Sequence, residues 1–143
     1  MTMTAAKPNA IDGPGYTAEL PCVPESVGRA RALVSSVLAA WGLEGDVADS
    51  GELIVSELLT NAVTHTETTT TRVVIERQSE SSVRIGVSDR SHTAPFAKSP
   101  TDDMASGRGL HLVGALSERW GYETNRWGKV TWAVIATPIR RGR

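Results

Sequence analysis

Glu57 and Asn61 stand four residues apart in a stretch, residues 46–66, where Val47, Ile54, Val55, Leu58, Leu59 and Ala62 recur at helical spacing. Positions i and i+4 of a helix lie one above the other, so a carboxylate stacks over a carboxamide. Ser50 and Thr64 share that polar stripe and His65 borders it. The amide oxygen suits a hard cation, and the carboxylate can take a proton from a hydroxyl. A plain solvent-facing stripe would look the same. Asp89 is a second candidate. It extends the alternating series Val83, Ile85, Val87, which predicts a carboxylate aimed at the apolar layer. A buried carboxylate needs donors, and an exocyclic amino group of a bound base is one. The competing expectation is an Asp just past the strand that caps a turn. The third candidate is Gly107-Arg108-Gly109-Leu110, ahead of a helix carrying Leu110, Val113 and Leu116. Glycines let backbone approach a ligand, and the free N–H groups of a helix start attract phosphate. Arg108 would add a cation, although a lone G-x-G is common in loop-to-helix turns.

Other chemistries lack their residues. There is no G-x-x-x-x-G-K-[S/T] phosphate loop, no H-E-x-x-H and no G-x-S-x-G, and His65, His92 and His111 lack metal-ligand spacing. Cys22 is the single cysteine, which excludes an intramolecular disulfide and fits a reducing compartment. Trp41, Trp120, Trp127 and Trp132 read as core residues.

These candidates need elements to hold them. Residues 16–22 suit a short strand. Pro24 suits the first turn of a helix, along which Val27, Ala30, Val34, Val37, Leu38 and Trp41 recur until Gly42 stops it. The candidate helix 46–66 follows. The threonine run 68–71 favours extended chain and leads into a strand at 72–77, a polar turn at 79–82 and the strand that ends at Asp89. From 90 to 106 periodicity is lost, as in a lid or another functional loop. The helix after Gly109 should end at Gly121, and strands at 120–125 and 130–137 close the chain, with Trp127–Gly128 at their turn. The order β-α-α-β-β-lid-α-β-β predicts an α/β two-layer sandwich: a mixed, mostly antiparallel five-stranded sheet with three helices on one face.

The chain has 143 residues, 40% of them apolar and 22% charged, with sixteen acidic side chains against fifteen basic ones. That is one domain's worth, and a chain of this size buries roughly 70% of its unfolded surface without a staple. Near-neutrality argues against nucleic-acid or anionic-membrane partners. No stretch approaches a membrane span, and a cytoplasmic location is expected. Residues 1–15 read as a flexible lead-in, 16–138 as the domain, and 139–143 as a basic tail carrying Arg140, Arg141 and Arg143.

Taken together, Glu52-Leu-Ile-Val-Ser-Glu57-Leu-Leu-Thr-Asn61-Ala-Val-Thr-His65, the strand ending in Asp89, Gly107-Arg-Gly-Leu110 and Gly128-Lys129-Val-Thr-Trp132 resemble the histidine-kinase/Hsp90/gyrase-type ATP-binding family. Within it the likeness is closest to the bacterial anti-sigma-factor serine/threonine kinases. The resemblance implies that Asn61 holds Mg²⁺ bridging the phosphates of ATP. It implies that Glu57 is general base toward a protein Ser or Thr, and that Asp89 accepts the adenine amino group. Gly107, Arg108, Gly109 and Leu110 would form the phosphate-facing hinge of the lid, and His65 would lie near phosphate. A sigma factor and an anti-sigma-factor antagonist would be the partners, and a homodimer is suggested.

Two positions depart from that pattern. The family's Asp-x-Gly-x-Gly is here Asp89-Arg90-Ser91-His92-Thr93, without glycine, and its late-strand Thr aligns with Lys129. A base contact supplied by that Thr would be absent or would come from Thr131. The glycine-free loop keeps a second expectation open, a protein-interaction switch with a degenerate pocket. A third, a detached histidine-kinase catalytic domain, would need a partner carrying the phospho-accepting histidine.

Overall fold

The computed structural model describes residues 7–8, 15–95 and 104–138. Its elements are β1 (Lys7–Pro8), β2 (Gly15–Pro21), α1 (Ser26–Ala40), α2 (Asp46–His65), β3 (Thr70–Ser79), β4 (Ser82–Asp89), α3 (Met104–Leu116), β5 (Arg119–Asn125) and β6 (Gly128–Ala136). The strands form one sheet in the order β1-β2-β3-β4-β6-β5, with every pairing antiparallel. Helix α2 packs against β4, β6, α1 and α3. The result is the expected two-layer sandwich, with the two-residue β1 added to the five strands anticipated.

Alternation assigns the faces. Val73 and Ile75 of β3, Val83, Ile85 and Val87 of β4, and Ala133 and Ile135 of β6 lie in one buried cluster with Val34 and Leu38 of α1 and Ile54, Val55, Leu58 and Leu59 of α2. Burying each such side chain contributes about 1.5–3 kcal/mol. Gly51 marks where α2 comes closest to its neighbours: a Cβ there would stand 3.0 Å from both Leu38 Cδ1 and Val34 Cγ1. Between the first two helices the chain reverses at Gly42 (φ 75°) and Gly45 (φ 77°), a region glycine enters without steric cost. Asp46 and Asp49 occupy the first turn of α2, where negative charge complements the helix dipole.

The other face of the sheet carries polar side chains over a few apolar ones. There the Arg84 guanidinium lies 5.3 Å from the centroid of the Trp132 ring and bonds Glu76 at 3.5 Å. A groove of about 610 Å³, lined in part by Arg72, Val74, Ser88, Trp127 and Val130 of this side, is lined also by Asp89 and Lys129.

Several local expectations are corrected. Helix α3 begins at Met104, before Gly107, so the irregular stretch expected over 90–106 is shorter than it reads. Gly121 lies inside β5 opposite Trp132, and α3 has already ended at Leu116; a Cβ at Gly121 would come within 3.0 Å of the indole. Trp127, at the hairpin turn, is 68% exposed and is no core residue. Of the lead-in, residues 7–8 form β1 and Gly15 opens β2; the rest of it, residues 96–103 of the anticipated lid and the basic tail lie outside the described residues.

Candidate functional site

Helix α2 supplies the first half of the site. Glu57 and Asn61 are both half-buried on successive turns, beside the apolar face that carries Leu58 and Leu59 into the core. Burial pushes the Glu57 carboxyl above its ordinary range, because removing a carboxylate from water disfavours its charged form. Helix α3 covers it with backbone: a Cβ at Gly109 would stand 2.6 Å from Glu57 Oε1. Only a glycine leaves this carboxylate in place. His65 is half-buried in the last turn of α2.

The glycine pair is not where the sequence puts it. Gly107 and Gly109 lie within α3, and Leu110 is buried. Free N–H groups are confined to the first turn of a helix, so Gly109's N–H is not among them and the residues expected to form a loop hinge are helical. The side chain of Arg108 lies outside the described residues. What brings Gly109 to the site is its missing side chain, which lets α3 close on Glu57.

Asp89 supplies the second half, from the last position of β4. The inward direction expected of it holds; it lies within the strand and not past it, yet it also makes the turn-capping bond of the competing expectation. The residue is 7% exposed, on the face that packs against the helices, and Oδ1 also accepts the Ser91 N–H at 2.8 Å, which caps the turn beyond the strand. That turn replaces the missing glycines: the Thr93 N–H bonds Ser91 Oγ at 3.0 Å and His92 Nε2 contacts the Asn125 carbonyl at 2.8 Å. The Arg90 N–H donates to Thr68 Oγ1 at 2.9 Å. Side-chain hydrogen bonds therefore shape the segment that glycines would otherwise allow to bend.

The residue that sequence reasoning underread is Lys129. It faces Asp89 across β4 and β6, and its ammonium donates to Asp89 Oδ1 at 3.0 Å, with the two side chains 2% and 4% exposed. Gly128 makes this register possible, since a Cβ there would land on the Asp89 carbonyl oxygen. The signal was present in the sequence. Lys129 shares strand parity with Thr131, Ala133 and Ile135, and a lysine on an inward face needs a buried counter-charge. Thr131, also buried, is the next inward residue and stands opposite Val87. Breaking a buried pair by removing one partner costs about 3–5 kcal/mol. One hydrogen bond to a charged group returns about 1.5–3 kcal/mol. Both donors to Asp89, the Lys129 ammonium and the Ser91 N–H, go to the same carboxylate oxygen, Oδ1.

Cys22 is buried close by, its thiol pushed up by burial and, secondarily, by the Asp89 charge. Among the described residues no three His, Cys, Asp or Glu side chains are grouped to hold a metal. A Mg²⁺ bound mainly through nucleotide phosphates does not require such a group, because it keeps waters and takes one or two protein ligands. The Asn61 carboxamide fits that role, and the half-buried Glu57 carboxylate, against which Gly109 presents no side chain, suits a proton-accepting role toward a hydroxyl. At Asp89 the Lys129 ammonium and the Ser91 N–H share Oδ1, which leaves Oδ2 as the acceptor an amino group would use.

Against known proteins, residues 20–135 match the family described as Histidine kinase-like ATPase domain. The match covers most of the chain and takes in both halves of the site. No curated protein matches the chain.

Proposed function

From its membership of the histidine kinase-like ATPase family, we propose that this chain is an ATP-binding regulatory protein that transfers phosphate to a Ser or Thr of a protein. Members of such a family use ATP, usually with Mg²⁺. The observation that carries the proposal is the Glu57–Asn61 pair, walled by Gly109, whose absent side chain keeps room for the carboxylate. Asn61 would hold Mg²⁺, which neutralises phosphate charge when bound; that is the chief demand of phosphoryl transfer. Glu57 accepts the proton of the attacking hydroxyl, a task helped by a carboxyl whose proton affinity burial has raised. His65 and Thr131 border the same cleft in this reading. A micromolar ATP affinity corresponds to about −8 kcal/mol, within reach of metal and phosphate contacts. The partners that suit the reading are an anti-sigma-factor antagonist as phosphate acceptor and a sigma factor as the protein held.

The Asp89–Lys129 ion pair favours a second reading, a switch that binds partner proteins through a pocket no longer used for transfer. One experiment separates the two. Labelled ATP with Mg²⁺ and an antagonist-type acceptor should give phosphoserine or phosphothreonine with the native chain. Glu57→Ala should lose transfer by about 10²-fold or more while still binding nucleotide. Equal transfer by the variant would remove Glu57 from the mechanism, and no transfer by the native chain would leave the switch.

A further inference from the structure

The sheet ends on one side at β5, beyond which no strand lies among the described residues. Two residues separate Asn125 from its partner Gly128, so Asn125 turns its own N–H and C=O toward β6. Alternation along an antiparallel ladder does the same for Glu123, Gly121 and Arg119. The N–H and C=O groups of Trp120, Tyr122 and Thr124 therefore point away from the sheet. Such an edge is a template for another strand, and proteins usually blunt it with proline, lysine, a bulge or brevity. The seven residues of β5 include neither proline nor lysine, and five of them are exposed. The opposite edge, β1, has only two residues.

The side chains of β5 complement a copy of themselves. Arg119 and Glu123 flank Gly121 at equal distance, on the face away from the helices, opposite Val134 and Val130. Trp120 and Tyr122 alternate with them on the helix side, Trp120 packed against the core and Tyr122 45% exposed. Two antiparallel β5 strands related by a two-fold axis at Gly121 set Arg119 opposite Glu123 twice, and Trp120 opposite Tyr122 twice. In that register Trp120 and Tyr122 are the hydrogen-bonded pair, which is the parity that the outward groups of β5 require. An axis at Arg119 or at Glu123 would set like charges opposite each other, and one at Trp120 or at Tyr122 would leave both charges unmatched. The present contacts of these charges are long and exposed, Arg119 to Glu118 at 3.7 Å and Glu123 to Arg84 at 3.8 Å, so little is given up when they turn. We infer that β5 is an interface with a second copy of this chain: the two edge strands pair antiparallel about Gly121, Arg119 of each copy opposite Glu123 of the other, and join two sheets into one. The contact takes in neither Glu57, Asn61 nor Asp89 and stands apart from the nucleotide reading.

Sedimentation equilibrium without nucleotide tests this on the native chain, Arg119→Glu, Glu123→Arg and Tyr122→Pro, with circular dichroism confirming that each folds. The native chain should dimerise reversibly. Each charge variant places like charges opposite each other twice, and its dimer should weaken about tenfold or more. An equimolar mixture of the two charge variants should recover association to within about threefold of native, because the mixed pair again faces acid to base at both positions. Tyr122→Pro removes an outward N–H and spares the β6 ladder, so it should weaken the dimer as well. The charge variants, altered only at exposed side chains, carry the test if the proline variant does not fold. A native chain still monomeric at about 1 mM, the weak end of association, would overturn the inference. So would a dimer whose constant neither charge substitution moves, a mixture that associates no better than its components, or a folded Tyr122→Pro that dimerises as the native chain does.

Discussion

Two carboxylates of this chain, Asp89 and Glu57, are handled in opposite ways. Asp89 is buried with a cation, and Glu57 is half-buried with no ion pair among the described residues. For Asp89, Lys129→Met should lower unfolding stability by about 3–5 kcal/mol, whereas Asp89→Asn/Lys129→Met should recover most of it, because both charges go together. Urea denaturation of the single and double variants measures this, and additive losses would mean that the pair is not coupled. For Glu57, burial raises the folded pKa, so the unfolded chain releases that proton more readily. The native chain should then lose stability relative to Glu57→Gln as pH climbs from the ordinary carboxylate range through the raised folded value. Below that range the two should differ little. Melting temperatures of both chains across pH check the sign, and a glutamine variant less stable at pH 8 would contradict it. Transfer by the native chain should fall off on the acid side at a pH above the ordinary carboxylate range. Asp89's inward direction was legible from the alternation of Val83, Ile85 and Val87. Its partner is harder to see in the sequence, because a lysine at position 129 shows first as a departure from a motif and only by strand parity as a charge on an inward face.

At the scale of elements, α1 and α2 were legible because their apolar residues repeat over several turns. Helix α3 was only half legible. Gly107 and Gly109 read as a loop by composition, yet the helix runs through them from Met104. Packing decides this. Glycine weakens a helix by up to about 1 kcal/mol, a cost accepted where backbone must lie against Glu57. At Gly28 of α1 a Cβ would meet nothing within 4 Å, so Gly28→Ala should stabilise by about 0.5–1 kcal/mol. At Gly109 the same substitution drives a methyl onto Glu57 Oε1. The carboxylate, at the end of a flexible side chain, is what moves, so Gly109→Ala should cut phosphoryl transfer about tenfold or more with little change in melting temperature. Loss of stability without loss of transfer would show that Gly109 serves packing alone. Gly121 was read as a helix stop for the same compositional reason, whereas the Trp132 indole opposite it explains the missing side chain.

Across the whole molecule, the two-layer architecture followed from the order of periods along the chain, since apolar helices and one-faced strands have few ways to bury each other. The two-residue β1 carries no periodic signal and was beyond reach of such reasoning. No helix among the described residues is long and apolar enough to cross a membrane. The family match over residues 20–135 and the placement of Glu57 and Asn61 on successive turns of α2, with Gly109 against Glu57, bear on a single claim, that this fold takes a metal-bound triphosphate at α2. Calorimetric titration of the native chain and of Asn61→Ala with ATP, in the presence and absence of Mg²⁺, tests it most directly. The account predicts saturable binding that requires Mg²⁺ and weakens about tenfold or more without the Asn61 carboxamide; binding indifferent to both, or no heat at millimolar nucleotide, would contradict it.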